Sequence, residues 1–168
     1  MSQGKLSAMA GGLTADLTDL IAPEAIRAGV AASNRKSLLL MIGTIAAEQF
    51  GLDAREVTDT LMKRERLGST GFGGGIAMPH GRFVGIDRVV GIFIRLDAPI
   101  DFEAVDDLPV DLVFALLSPV TSGAAHLKAL ARVSRLLRDR DFRAKLRGAG
   151  SRDALYALLA GVDARDAA

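Results

Sequence analysis

Val110-Asp111-Leu112-Val113-Phe114-Ala115-Leu116-Leu117 is the stretch on which the fold turns. From Leu112 onward it is apolar on both faces that a strand would present, as is Val89-Val90-Gly91-Ile92-Phe93-Ile94 upstream. Strands of this kind are buried from two sides, so helices must cover both faces of the sheet. Strands are expected over residues 75–78, 89–95 and 110–117, with Asp106-Asp107-Leu108-Pro109 as the turn before the last.

Helix signals surround these strands. Ser33 or Asn34 caps a helix over residues 35–50, with Leu38, Ile42, Ile45 and Ala46 at helical spacing and Gly51 as its stop. Asp53 opens a second, with Glu56 where a capping box places it. Val57, Leu61 and Leu67 carry its apolar face, and Lys63, Arg64 and Arg66 suit the negative end of its dipole. Residues 124–138 form a third, with Leu127, Leu130, Val133 and Leu137 as core, followed by helices over 142–146 and, behind a Ser151 cap, 154–159. Leu17, Leu20 and Ile21 lead into Pro23, and Ile26 and Val30 mark a short segment lying on the core. Helices and strands interleave without a strict βαβ repeat, so the expected fold class is α/β (α+β), a mixed sheet flanked by helices on both faces. Residues 17–162 are expected to form one domain, with residues 1–16 a mobile tail and 163–168 a C-terminal tail.

Composition narrows the function classes. The 168 residues are 49% hydrophobic and 24% charged, a length and balance suited to one globular core. Twenty-one Lys and Arg offset twenty Asp and Glu, which argues against a nucleic-acid binder with a broad basic face. The absence of cysteine excludes a disulfide scaffold, a thiolate metal site and a phosphocysteine. The most apolar run, residues 38–47, falls well short of the ~18 residues a membrane span requires. Ala8-Met9-Ala10 mimics a signal-peptidase site, but no sufficiently long apolar segment precedes it, so a cytoplasmic location without membrane insertion is expected.

Chemistry has few places to live. Residues 68–75, GSTGFGGG, end in no Gly-Lys-Ser/Thr, and Ile76 breaks the dinucleotide fingerprint. His80 and His126 lack a carboxylate partner at ligand spacing, so no metal is expected. Ser69, Thr70 and Ser134 sit in no nucleophile elbow. Pro79 fixes its own φ and holds Met78 extended, so a strand ends in a defined direction at His80, and Gly81 removes bulk beside the imidazole. An ordinary turn histidine is the plainer reading of these residues alone. A displayed, neutral imidazole is however a nucleophile near pH 7, and attack on phosphorus would yield a phosphohistidine. Such a transfer needs donors aimed at the phosphoryl oxygens. Arg64 could supply a planar fork, Ser69 and Thr70 further donors, and His126 a hydrogen bond. The alternatives are helix-end electrostatics for Arg64 and a half-buried helix position for His126.

The run from Arg64 to Gly81, RERLGSTGFGGGIAMPHG, resembles the active-site signature of the mannitol/fructose-type enzyme IIA proteins of the bacterial phosphotransferase system, most closely the nitrogen-regulatory branch. The likeness continues through Ile100-Asp101-Phe102, residues 110–117 and Ala125-His126-Leu127. It implies that His80 accepts a phosphoryl group from an HPr-like carrier, that Arg64 steadies it, and that His126 is the second active-site histidine. Gly74 stands where a polar residue is common and could loosen the loop; Met78 stands where a branched aliphatic is usual. The resemblance further implies regulatory targets such as kinases or potassium transport components, no cofactor and no small-molecule turnover of its own. Phe72, Met78 and Phe83 would form an apolar docking rim around His80, core packing being the alternative. A sugar-transport IIA and a binding module that is never phosphorylated are the competing readings.

Overall fold

A computed structural model describes residues 15–161. Residues 1–14 and 162–168, which hold nearly all of both expected tails, lie outside the described residues. The body starts earlier than expected: Ala15 is buried, and the Asp16 carbonyl accepts from Arg132 at 2.8 Å.

Strand β1 is Ile26–Val30, preceded by a 3-10 turn over Pro23–Ala25. Helices α1 (Arg35–Phe50) and α2 (Ala54–Leu67) follow. Next come β2 (Gly71–Gly73), β3 (Ile76–Ala77), β4 (His80–Phe83), β5 (Val90–Ile100) and β6 (Val110–Pro119). The chain closes with α3 (Ala124–Leu137), α4 (Arg140–Gly148) and α5 (Arg152–Ala160). Side-chain caps explain four of the five helix starts among the described residues, α3 beginning behind Gly123 without one. Asn34 accepts from the Ser37 amide while the Ser37 hydroxyl accepts from the Asn34 amide, and Asp53, Asp139 and Ser151 each accept from the amide three residues on.

The sheet order is β1-β5-β6-β3-β2, with β4 also pairing β6. Its pairings are mixed: β1 with β5 and β6 with both β3 and β4 are parallel, whereas β5 with β6 and β2 with β3 are antiparallel. The expected mixed sheet with helices on both faces is present. Phe93 and Phe114, opposite one another at its centre, meet edge-on at 6.1 Å between ring centroids. Ile92 to Ile94 and Leu112 to Leu117 are wholly buried, as their unbroken apolarity requires.

Two apolar assignments move. Leu67 is 85% exposed and Leu127 is 63% exposed, although both were expected in the core. On α2 the buried stripe is Val57, Thr58, Leu61 and Glu65, and on α3 it is His126, Ala129, Val133, Leu136 and Leu137. A polar residue takes the stripe position in each case, and the adjoining leucine is turned to solvent by helical geometry.

The glycine-rich segment, read as neither helix nor strand, is a strand hairpin clamped on both sides. The Val105 amide donates to Gly71 O at 2.9 Å, and Gly74 N–H donates to Asp106 Oδ2 at 3.0 Å. From α4, Arg147 forks onto Asp111 while Nη2 donates to Gly74 O at 2.8 Å. Gly74 has φ +69°, a conformation that disfavours side chains, so glycine here fits the turn rather than loosening it. Arg147→Ala should lower the unfolding free energy by about 1 kcal/mol, the pair being partly solvent-screened. Urea melts measure the loss, and amide exchange at Gly74 should accelerate; wild-type exchange would show that the clamp is idle.

Candidate functional site

β3 and β4 run along the same edge of β6 in one register, Ile76 opposite Leu112 through Phe83 opposite Pro119. They amount to one strand, in which the Gly75 and Pro79 carbonyls both accept from β6 amides. Proline has no N–H to give, so Pro79 bonds to β6 through its carbonyl alone and the direction is kept. The strand therefore continues through His80 instead of ending at it, as the sequence had suggested. Met78 N–H turns to Thr70 O at 3.1 Å, and Met78 O accepts from His80 Nδ1–H at 2.8 Å. A carbonyl can only accept, so this contact places the ring proton of neutral His80 on Nδ1 and leaves the Nε2 lone pair free. The imidazole is half-buried.

Strand alternation sorts the neighbours. Gly81 and Phe83 face α2: a side chain at Gly81 would meet Thr60 Cγ2 at 3.1 Å and the Phe83 ring at 3.2 Å. The missing side chain thus admits α2 to the strand; the expected role of clearing space beside the imidazole is not what it does. His80 and Arg82 point the other way, and Arg82 stands opposite Ser118 of β6. His126 covers this face from the first turn of α3, with its ring centroid 5.6 Å from that of His80 and its Nδ1 2.6 Å from Ser118 Oγ. His126 is 6% exposed, deeper than the half-burial expected for it.

Arg64, in the last turn of α2, donates from Nη1 to Gly68 O at 2.8 Å, which fixes its stem and leaves other N–H groups available. It lies close enough to His80 to disfavour the imidazolium. Burial lowers the His80 pKa from its ordinary value most, with Arg64 adding to this; the Met78 carbonyl and Glu65 act in the opposite sense. His126 is lowered by burial, then by Arg82 and by His80. Both rings are accordingly neutral through the neutral pH range.

Ser69 and Thr70 are occupied elsewhere. The Ser69 hydroxyl donates to Phe102 O at 2.9 Å, and the Thr70 hydroxyl and amide both donate to the buried Glu65 carboxylate. A hydroxyl has one hydrogen, so neither can donate to a phosphoryl oxygen in this arrangement. They build the loop, compensating a charge buried at 3% exposure. The docking rim also needs correction. Met78 and Phe83 are core residues, 4% and 2% exposed, and Phe72 is half-buried under the Arg138 guanidinium at 4.9 Å. The exposed aliphatics flanking the site in sequence are Leu67, Val84, Val120 and Leu127. Sequence reading missed Arg82 and Ser118. The period-2 offset from His80 was a signal for Arg82, but Ser118 required knowledge of the pairing.

Among the described residues no group of three or more His, Asp or Glu could hold a metal ion, and no helix is long and apolar enough to cross a membrane.

A mixed α/β domain presenting a neutral histidine between an arginine and a second histidine is the class that fold and site define. The chain belongs to the phosphoenolpyruvate-dependent sugar phosphotransferase system EIIA 2 family, whose model matches residues 19–162. It is 49% identical over 144 residues to a nitrogen regulatory protein of Bradyrhizobium diazoefficiens, covering 86% of this chain and 94% of that one. It is 36% identical over 119 residues to a fructose-specific EIIA component of Haloferax volcanii, covering 70% and 77%. Among solved structures, nitrogen regulatory protein IIA-Ntr from Neisseria meningitidis superposes with a TM-score of 0.80 at 32% identity, covering 84% of this chain and 97% of that one.

The lowered pKa values set a sign for pH dependence. Between the native values and the ordinary histidine value of ~6.5 the unfolded chain binds more protons, so stability rises with pH across that window and is lost on acidification through it. Histidine NMR titrations should give midpoints below ~6.5 for His80 and His126, with urea stability falling as pH drops below the same value. A midpoint above it for His80 would contradict the electrostatics described.

Proposed function

We propose that this protein is a phosphohistidine carrier of the nitrogen-regulatory type, acting in the cytoplasm and binding partners according to its phosphorylation state. The single observation that carries the reading is His80, neutral, half-buried at a sheet edge, with Nδ1 held by a carbonyl and Nε2 free. Similarity to the Bradyrhizobium nitrogen regulatory protein supports the regulatory branch. Similarity to the fructose-specific EIIA component keeps delivery to a sugar transporter as a second reading.

In the proposed transfer, an HPr-like phosphocarrier brings a phosphohistidine to the site. The His80 Nε2 lone pair forms a bond to phosphorus as the carrier's P–N bond breaks, and the carrier nitrogen keeps the departing electron pair. Charge on the equatorial oxygens is met by Arg64 and His126, with Arg82 adding positive potential. The His80 ring gains positive character as the new bond forms, which strengthens its Nδ1–H bond to Met78 O. Burial, with Arg64 adding to it, discourages the proton that would otherwise block the nucleophile. Leu67, Val84, Val120 and Leu127 offer apolar area for a small, short-lived contact with the carrier. Once formed, the phosphohistidine places nearly two negative charges at this surface, enough to change which regulatory targets, such as kinases or potassium transport components, can bind.

Incubation with phosphoenolpyruvate, enzyme I and the HPr-like carrier should deposit an acid-labile, alkali-stable phosphate, and His80→Ala should abolish it. Arg64→Ala should slow single-turnover transfer by about 100-fold with its thermal midpoint nearly unchanged. His126→Ala should slow it less than His80→Ala does. Wild-type protein that never acquires phosphate would defeat the reading and leave a binding module. Restoration of sugar uptake in a strain lacking its own IIA would favour the transport branch.

A further inference from the structure

Ser118 is the one polar side chain in the run from Leu112 to Ser118, and it is wholly buried. A hydroxyl placed in such a strand costs stability unless it is hydrogen-bonded. Its sole hydrogen-bond contact among the described residues is with His126 Nδ1 at 2.6 Å. The contact can be made in two ways. If Nδ1–H donates to Oγ, the hydroxyl hydrogen is buried with no acceptor and Nε2 is left as a bare lone pair. If the hydroxyl donates to Nδ1, no buried donor is wasted and the ring proton sits on Nε2. Leaving a buried donor unpaired is the costly alternative, so the second arrangement prevails.

We propose that Ser118 is a positioning residue that donates to His126 Nδ1 and so keeps the proton on Nε2, as a hydrogen-bond donor for the phosphoryl group on its way to His80. The proposal rests on the phosphocarrier reading given above. The alternative tautomer would turn a lone pair toward phosphoryl oxygens and repel them. Protonating both nitrogens would also supply a donor, but burial and the nearby Arg82 oppose that charge. The strand register makes the arrangement possible: Ser118 lies opposite Arg82, two residues from His80 on the same side, and α3 lays His126 over all three. Ser118 touches no transferring atom and acts entirely through the second histidine.

The first test needs neither a variant nor phosphate. Imidazole 15N NMR of the wild-type protein at neutral pH should find His126 as the Nε2–H tautomer; an Nδ1–H tautomer would overturn the proposal. In Ser118→Ala that preference should fade into a mixture, whereas an unchanged tautomer would show that the hydroxyl does not set it. The second test is kinetic: Ser118→Ala should slow single-turnover phosphorylation of His80 about tenfold. Ser118→Thr, which keeps the hydroxyl, should recover most of the rate. In a His126→Ala background Ser118→Ala should have no further effect, and additive losses would refute action through His126. Because the tautomer is read without transfer, a wild-type protein that accepts no phosphate defeats the phosphocarrier reading alone.

Discussion

Everything at the site hangs on one hydrogen bond, from His80 Nδ1–H to the Met78 carbonyl. Pro79 lies inside what is, by register, a single strand running beside β6, and its carbonyl still accepts from the Leu116 amide at 2.9 Å. Met78 faces the other edge of that strand, where its N–H donates to Thr70 O and its carbonyl accepts from His80 Nδ1–H. That bond fixes ring orientation and tautomer together, so in the proposed transfer the nucleophilic nitrogen is selected before any partner arrives. The parallel pairing with β6 holds this geometry to a rigid core, so it does not depend on a loop.

The site's electrostatics work in the same direction. Burial acts most on the two imidazoles, with Arg64 from the end of α2 adding to it at His80 and Arg82 from β4 at His126. A cationic surround that helps keep histidine neutral is also one that would attract an anionic phosphoryl group, so in the proposed transfer nucleophile activation and ligand attraction share an origin. Glu65 is the opposing charge. It is restrained by Thr70, which supplies two hydrogen bonds to its carboxylate and thereby shapes the turn from α2 into β2.

Legibility in the sequence followed range of interaction. Helix starts at Asn34, Asp53 and Ser151 were readable because a cap is settled within three residues. The long strands β5 and β6 were readable because their apolarity is continuous. Strands β1, β2 and β4 were not read as strands: all are short, β2 is a glycine-rich hairpin arm, and β1 and β4 owe their existence to partners distant in the chain, Ile26 pairing with Phe93 and His80 with Leu116. The family signature pointed to His80, Arg64 and His126, yet the same stretch misled over Ser69, Thr70, Met78 and Phe83. Hydroxyls and apolar side chains beside a reactive residue look available until their actual partners are known.

The residues themselves determined the fold class and the family resemblance and singled out three proposed site residues, because composition, periodicity and a local motif suffice for each. Tertiary structure alone decided which groups remain free to react. It paired Ser118 with His126, occupied the Ser69 and Thr70 hydroxyls, turned Gly81 toward α2 and sent Leu67 and Leu127 to the surface. The reason is physical: a donor can be spent only once, and whether it is spent depends on groups that the chain brings together across the sheet.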